Sequence, residues 1–483
     1  MTMYQEFYQY EKTISDEKRT NLGIVYTPPE IVDFINQKCL NLWKEDHPPK
    51  IIDPCCGTGV FLQDIAIKIA ERWSIEIKEV YEKYIYGTDL DEFAIKEAKK
   101  LLPSANLSAR SSLYDNWEDF DIIVTNPPYV RIQNLEEQDR NNIRNNFSFC
   151  VGDTDIYIAF FEKIVKMDII SGFICPNSWI RNKSSAKLRK YIKEKASINT
   201  IIDFRSKKVF PNVGVYASIL INNGKGENET QVGYSIENLS MIKQKDLFVS
   251  NVLLIDSEDR KFVKEILKRK KGIFDICDIK VGLATLADSV FLLEKIKDEN
   301  GSLMRVRTRG KNKKEHKLEK GILKRCAKAG EITKNKDVEY YIIFPYKQNG
   351  EGLTEEEFKS EYPSTYKYLE NNKEKLLLRD KGKNKGYQWY EYGRTQSIKI
   401  NQDKLIFAPM IYEGMQIKHS PSNETFISGY CITPKDDIDI QELKNIFESS
   451  DVSRWISIFG KSLSGNWKGV SKETFKHYRI NKK

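Results

Sequence analysis

The chain has 483 residues, 40% of them hydrophobic and 30% charged, with a formal net charge of +9. That length accommodates two or three domains at roughly 100–200 residues each, and the composition excludes a disordered or collagen-like chain. No apolar run approaches the ~20 residues that cross a bilayer, and the first residues lack a basic-then-apolar signal pattern, so the expected location is the cytoplasm.

The charge is unevenly distributed: residues 1–230 sum to −3 and residues 231–483 to +12. A polyanion such as nucleic acid is the natural partner for the C-terminal half, with a solvated basic surface as the plainer explanation. The eight cysteines are scattered without a CxxC pair and the four histidines stand apart. Neither a disulfide framework nor a metal site is expected.

In chain order, PPEIVDFINQKCLNLW predicts a helix opened by proline. From about Lys50 to Asn222, short apolar runs (IIDPC, YIYGTDL, DIIVTN, SGFICP, TIIDF, ASILI) alternate with segments such as VFLQDIAIKIAERW, DEFAIKEAKKLL and DIYIAFFEKIVKM. The apolar runs are bounded by Gly, Pro, Asn or Asp, as buried strands are, and the longer segments repeat at helical spacing. Strand and helix in alternation predict an α/β fold with a mainly parallel sheet. A Gly/Asn/Glu cluster at 222–231 breaks the pattern and suggests a boundary between a domain of residues 1–225, with a helical lead over 1–45, and one of residues 231–483. The latter reads as α+β with long surface loops. The polar stretch VRIQNLEEQDRNNIRNNFSFC (130–150) reads as a mobile loop.

Two motifs carry chemistry. In IIDPCCGTGVFL (51–62) an apolar strand runs into Asp53 and then into a turn with Gly57 and Gly59 before a helix. Such a turn lets a ligand approach the backbone, and Asp89, at the end of the next strand, can accept hydrogen bonds from ribose hydroxyls. In FDIIVTNPPYV (120–130) a strand ends in Asn126-Pro127-Pro128-Tyr129. An amino nitrogen conjugated to a ring is a poor nucleophile until acceptors take its protons and localise its lone pair. The Asn126 side-chain oxygen and the Pro127 carbonyl can do this together on a turn stiffened by two prolines, and Tyr129 supplies a face on which a planar base can stack.

The motif order resembles the gamma group of DNA adenine-N6 methyltransferases from restriction–modification systems, the TaqI-like family. GIVYTPPEIVDFI, DPCCGTGVF, GTDLD, NPPYVRI, DIYIAFFEK, SGFICPNSWI and KVFPNVGVYASILI carry it through residues 20–225. Looser patterns, among them VGLATLADSVFLL, YIIFPY, WYEYGRTQSI and SLSGNWKGVSKETFKHYRI, extend it over most of the C-terminal half. The resemblance implies a Rossmann-like S-adenosylmethionine-dependent methyltransferase domain followed by an α+β DNA target-recognition domain. By implication Tyr26, Thr27, Pro28, Asp53, Pro54, Cys55, Gly57, Gly59, Asp89, Leu90, Ser111, Ser112, Leu113 and Asn126 line the cofactor site. Asn126, Pro127, Pro128 and Tyr129 would form the catalytic turn, with Tyr129 and Phe210 stacking on a flipped-out base. The segment SARSSLYDNW departs from the family, which often has an acidic residue where Ser111 and Ser112 stand; serine can still accept a hydrogen bond from an amino group.

Candidate DNA contacts are Arg305, Arg307, Arg309, Lys311, Lys313, Lys314, Arg394, Trp467 and Lys468, which place basic residues beside aromatics. The expected partners are double-stranded DNA and a separate cognate endonuclease, with no metal and no membrane. The competing readings are a release-factor glutamine-N5 methyltransferase, an RNA adenine methyltransferase and a catalytically silent DNA-binding modification subunit. The first lacks the large basic C-terminal half, and the last should have lost NPPY or the Gly-rich turn.

Overall fold

The computed structural model describes Ile14, Gly23 and residues 25–481, except 196, 211–213, 225, 227–228, 250–251, 300, 310–312, 335–338, 380–385, 436–437 and 464–466. The chain divides into two compact units, Met1–Phe262 and Val263–Lys483.

The first unit is built on a nine-stranded sheet in the order β3-β2-β1-β4-β5-β7-β6-β8-β9. Its strands are β1 (Ile51–Asp53), β2 (Ile85–Asp89), β3 (Asn106–Ala109), β4 (Ile122–Thr125), β5 (Ile170–Pro176), β6 (Ile198–Asp203), β7 (Ala217–Asn222), β8 (Glu229–Gly233) and β9 (Leu239–Lys243). The helices that matter for the site are α1 (Pro29–Leu42), α2 (Val60–Trp73), α3 (Ile77–Tyr84), α4 (Glu92–Leu101), α5 (Glu137–Asn146), α6 (Tyr157–Lys166) and α7 (Ala186–Glu194). Strands β3, β2, β1, β4 and β5 pair in parallel, and β7 runs antiparallel between β5 and β6. Both faces are covered. On one, α1 and α2 bury Ile35, Leu62 and Ile65; on the other, α6 buries Phe161 and Ile164 beneath Trp179. This accounts for the continuous apolar runs of β4, β5 and β7.

The sheet reverses its direction of winding between β1 and β4, and ligands bind outside the carboxyl ends of strands at such a switch point. Asp53 ends β1, Asp89 ends β2 and Asn126 follows β4 directly. The topology therefore gathers at one crevice three residues separated by up to 73 positions of chain.

Two local expectations change. The cluster at 222–231 lies between two strands of one sheet, because β8 pairs in parallel with β6 and β9 pairs with β8. The expected boundary at 225/231 thus falls inside the first compact unit; turn-forming residues mark a chain reversal whether or not a domain ends there. Residues 130–150, read as a loop, include a ten-residue helix, α5. Its one buried residue is Ile143, so its sequence offers almost no apolar periodicity.

The second unit is α+β. A six-stranded sheet contains Glu315–Glu319, Leu303–Arg307, Leu292–Asp298, Tyr340–Ile343, Leu323–Lys328 and Thr425–Ile427, antiparallel except for its last pairing. An antiparallel sheet of four strands holds Cys277–Val281, Tyr430–Pro434, Lys404–Phe407 and Ile417–Ser420. Helices Glu355–Glu361 and Pro363–Glu370 pack Phe358 and Leu369 into the core of the larger sheet.

Candidate active site

After Asp53 the chain turns through Pro54 to Gly59 into α2. Gly57 and Gly59 have φ of +53° and +93°, a region that L side chains rarely adopt. At Gly59 a Cβ would also lie 2.5 Å from Leu102 Cδ1, whereas at Gly57 it would meet nothing within 4 Å and would stand in the crevice. The turn is tied to the neighbouring strand end. Gly57 N–H donates to Asp89 Oδ2 at 2.8 Å, and Asp91 N–H donates to Asp89 Oδ1, also at 2.8 Å. Asp53 Oδ1 accepts from Cys55 N–H at 3.0 Å.

These groups line a cleft of about 250 Å³. Every expected cofactor residue lines it except Pro28 and Gly59; Pro28 instead precedes the first turn of α1, and Gly59 the first turn of α2. Burial pushes the Asp53 carboxyl up to about 7, and burial also raises Asp89. Ser111 is exposed at the cleft, while Ser112 is buried and donates to the Pro54 carbonyl at 3.0 Å. The neighbouring guanidinium of Arg110, which pairs with Asp115, also lines the cleft.

The far end of the cleft is apolar, with Val130, Leu135, Ile156 and Phe160. None of these four stands out from an ordinary core residue in the sequence. Gly23 and Val25 were missed as well, and they bear directly on the NPPY turn. Gly23 lies so close to it that a Cβ would sit 2.5 Å from Tyr129 N. Its carbonyl accepts the Tyr129 N–H at 3.3 Å. The Asn126 side chain donates from Nδ2 to the Val25 carbonyl at 2.6 Å and to Thr27 Oγ1 at 3.1 Å. Asn126 Oδ1 is buried and accepts no hydrogen bond among the described residues. A buried acceptor without a donor is costly, by roughly 1–3 kcal/mol, so its persistence calls for an incoming donor.

Pro127 is buried, and Pro128 lines the cleft. Tyr129 is half-buried, its hydroxyl without a partner among the described residues and pushed well up by burial. The Tyr129 ring lies 6.1 Å from Phe210 and 6.3 Å from Tyr157. Phe210 is 1% exposed and packs in the core with Phe204 and Ile219. Its ring therefore presents no free face, although it adjoins the ring with which it was expected to act.

In the second unit, several expected DNA contacts are already paired with acids. Arg305 reaches Glu299 at 2.7 Å, Arg307 reaches Glu294 at 2.8 Å, Arg309 reaches Glu331 at 3.0 Å and Lys313 reaches Glu294 at 3.3 Å. Lys311 lies outside the described residues. Lys314 and Arg394 are exposed, and Trp467, 41% exposed, packs its ring 5.5 Å from Tyr412. Lys468 follows on the short strand Lys468–Gly469, half-buried. Among the described residues there is no cluster of three or more metal-ligating side chains, and no helix is long and apolar enough to cross a membrane.

Comparison with known proteins agrees with this layout. Residues 58–210 match the Eco57I restriction-modification methylase family. The type II restriction enzyme and methyltransferase RM.Eco57I of Escherichia coli is 24% identical over an alignment covering 86% of this chain and 52% of that protein, so the chain spans about half its length. The type II methyltransferase M.PaeR7I of Pseudomonas aeruginosa is 22% identical, with 95% and 85% covered. Among solved structures, the type IIL restriction-modification enzyme MmeI in complex with DNA superposes with a TM-score of 0.64 at 15% identity, covering 98% of this chain and 70% of that one. The fold is that of a Rossmann-like α/β unit followed by an α+β unit. The chain is thus similar to the Eco57I restriction-modification methylases over residues 58–210 and, more distantly, to proteins named type II methyltransferases over most of its length.

Proposed function

We propose that the chain is a DNA methyltransferase that transfers a methyl group from S-adenosylmethionine to N6 of an adenine flipped out of duplex DNA. The observation that carries this reading is Asn126 Oδ1, a buried acceptor with no donor, on a turn beside the cleft. The residues present fit the cofactor. Asp53 and Asp89 end adjacent strands, and the open space at Gly57 leaves room against the backbone. When bound, S-adenosylmethionine supplies an electrophilic methyl group on a cationic sulfonium.

The chain's own part in the reaction is positional and electrostatic. Asp89, held by two backbone N–H groups, presents its remaining lone pairs to hydroxyls. Asn126 Oδ1 and the Pro127 carbonyl take hydrogen bonds from the amino group, and the localised lone pair becomes nucleophilic. Preorganised acceptors of this kind act most strongly in a dry site. Extruding the base costs a few kcal/mol, which stacking on Tyr129 offsets in part. Phe210 joins the stack only if its segment turns out of the core. In this reading residues 231–483 bear the target recognition, with the exposed Lys314, Arg394 and Trp467 as its first candidates for DNA contact.

The test is transfer of labelled methyl from S-adenosylmethionine to duplex DNA, followed by digestion to nucleosides. Label in N6-methyladenine is expected. Label confined to cytosine, to RNA or to a release-factor glutamine overturns the proposal, and no transfer to any of them favours a silent DNA-binding subunit.

A further inference from the structure

We infer that Gly23, Val25 and Thr27 select asparagine at position 126, and that Thr27 is a positioning residue that fixes which atom of the Asn126 amide faces the substrate. The inference rests on the proposed transfer to an amino group.

An amide side chain has one accepting and one donating end, and a half-turn about its last bond exchanges them. Only the orientation with Oδ1 toward the substrate takes a proton from an amino group; the other would point N–H at N–H. Here the donating end is held twice, by the Val25 carbonyl at 2.6 Å and by Thr27 Oγ1 at 3.1 Å. A flipped amide would set Oδ1 against the Val25 carbonyl oxygen, and that repulsion decides the orientation. The holding segment is itself registered on the turn: Gly23 accepts from Tyr129 N–H at 3.3 Å, at a backbone φ of +64° and an approach that leaves no room for a Cβ. The orphaned Oδ1 is what remains once the donating end is satisfied.

The same geometry excludes a carboxylate. Aspartate is nearly isosteric with asparagine and accepts at least as well, so if acceptance from the amino group were the sole requirement, Asn126→Asp would be active. Against the Val25 carbonyl, however, an ionised carboxylate would bring two acceptors together with no proton between them, in a buried site where an unmatched charge is expensive.

The experiment uses the full chain and begins with wild-type transfer to adenine, whose absence would remove the underlying function rather than this inference. With transfer established, Thr27→Val and Thr27→Ser are compared. Losing one neutral hydrogen bond is worth roughly 0.5–1.5 kcal/mol, so Thr27→Val should lower kcat about 2–12-fold. The KM for S-adenosylmethionine should stay within about twofold, and Thr27→Ser should restore kcat. Asn126→Asp should lose at least about tenfold at neutral pH and melt at a lower temperature than wild type, its activity being compared well below that midpoint. As a readout apart from turnover, binding is measured to duplexes carrying adenine or purine, which lacks the amino group, at the target position. Thr27→Val should narrow the preference for adenine. An Asn126→Asp variant as active as wild type, or a Thr27→Val effect confined to KM and not rescued by serine, would overturn the assignment.

Discussion

The crevice of the first unit and the ion-paired larger sheet of the second treat polar groups in opposite ways. In the first, the groups at the crevice are left wanting: Asn126 Oδ1 and the Tyr129 hydroxyl have no partner among the described residues, and Asp53 is buried without a cation beside it. In the second, charges are largely satisfied. Arg305, Arg307, Arg309 and Lys313 meet glutamates, and Glu319 accepts from Ser364 N–H, Thr365 N–H and Thr365 Oγ1. Unsatisfied groups cost stability and persist where a ligand completes them. The difference separates a place where chemistry is done from a scaffold that presents a surface.

The largest effect expected from this contrast is at Asn126. Replacing it by alanine removes a preorganised acceptor, which is worth roughly 10²–10³ in turnover, while stability should fall only by the roughly 1–3 kcal/mol of the two hydrogen bonds that Nδ2 gives to Val25 and Thr27. Steady-state kinetics and thermal melting on one preparation decide it; a large loss of stability would return Asn126 to the scaffold. The mirror experiment is Glu319→Ala, where charge-assisted bonds worth about 1.5–3 kcal/mol are lost and the helix Pro363–Glu370 loses its anchor. Stability should fall and intrinsic methyl transfer should not.

The pH responses should also be opposed. Asp53 has its carboxyl raised by burial to about 7, so the stability it contributes is present at acid pH and lost as pH rises through 7. Asp53→Asn should therefore raise the urea midpoint at pH 8.5, an advantage that shrinks as pH falls below 7 and vanishes only near the ordinary carboxylate value of about 3.9. Burial opposes ionisation at Glu319 too, but hydrogen bonds from Thr365 and Ser364 prevail and hold it below the usual carboxylate range. Its contribution is present above about pH 4.3 and is lost as pH falls through its lowered value. If both variants shift the midpoint at the same end of the pH range, the contrast fails.

The smallest effect concerns the basic surface. Each neutralised phosphate adds roughly 0.9 to the log–log salt slope of DNA binding. Lys314→Ala should lower that slope by about this amount if Lys314 meets a phosphate. Arg307→Ala should change it less, because Arg307 already spends its charge on Glu294.

Much of the first unit was legible in the sequence because buried parallel strands are short, continuously apolar and bounded by turn residues; β1, β2, β4, β5, β6 and β7 are of this kind. Strand β3 was not, since Asn106–Ala109 lies at the sheet edge with one fully buried side chain, and α5 was hidden by its polarity. At the crevice, Asp53, Asp89 and Asn126 stood out because their chemistry depends on residue type at a strand end. The grip of Gly23 and Val25 on the NPPY turn did not, because it is made by backbone carbonyls, and the close approach that requires glycine at position 23 is formed only by the fold. Phe210 shows a further limit: an aromatic beside a strand usually packs in the core, and only the resemblance put this one in the base stack, whereas its ring is 1% exposed.

The continuation of the large sheet through β8 and β9 bears on how the molecule can be divided. Thr200–Ile202 of β6 pair with Gln231–Gly233 of β8. A fragment ending at residue 225 would strip this partner and leave the edge of β6, a strand buried at five of its six positions, open to solvent, a ready template for intermolecular pairing and aggregation. Limited proteolysis or split-gene expression should therefore yield a well-behaved N-terminal piece only when the cut falls near residue 262, where the first compact unit ends.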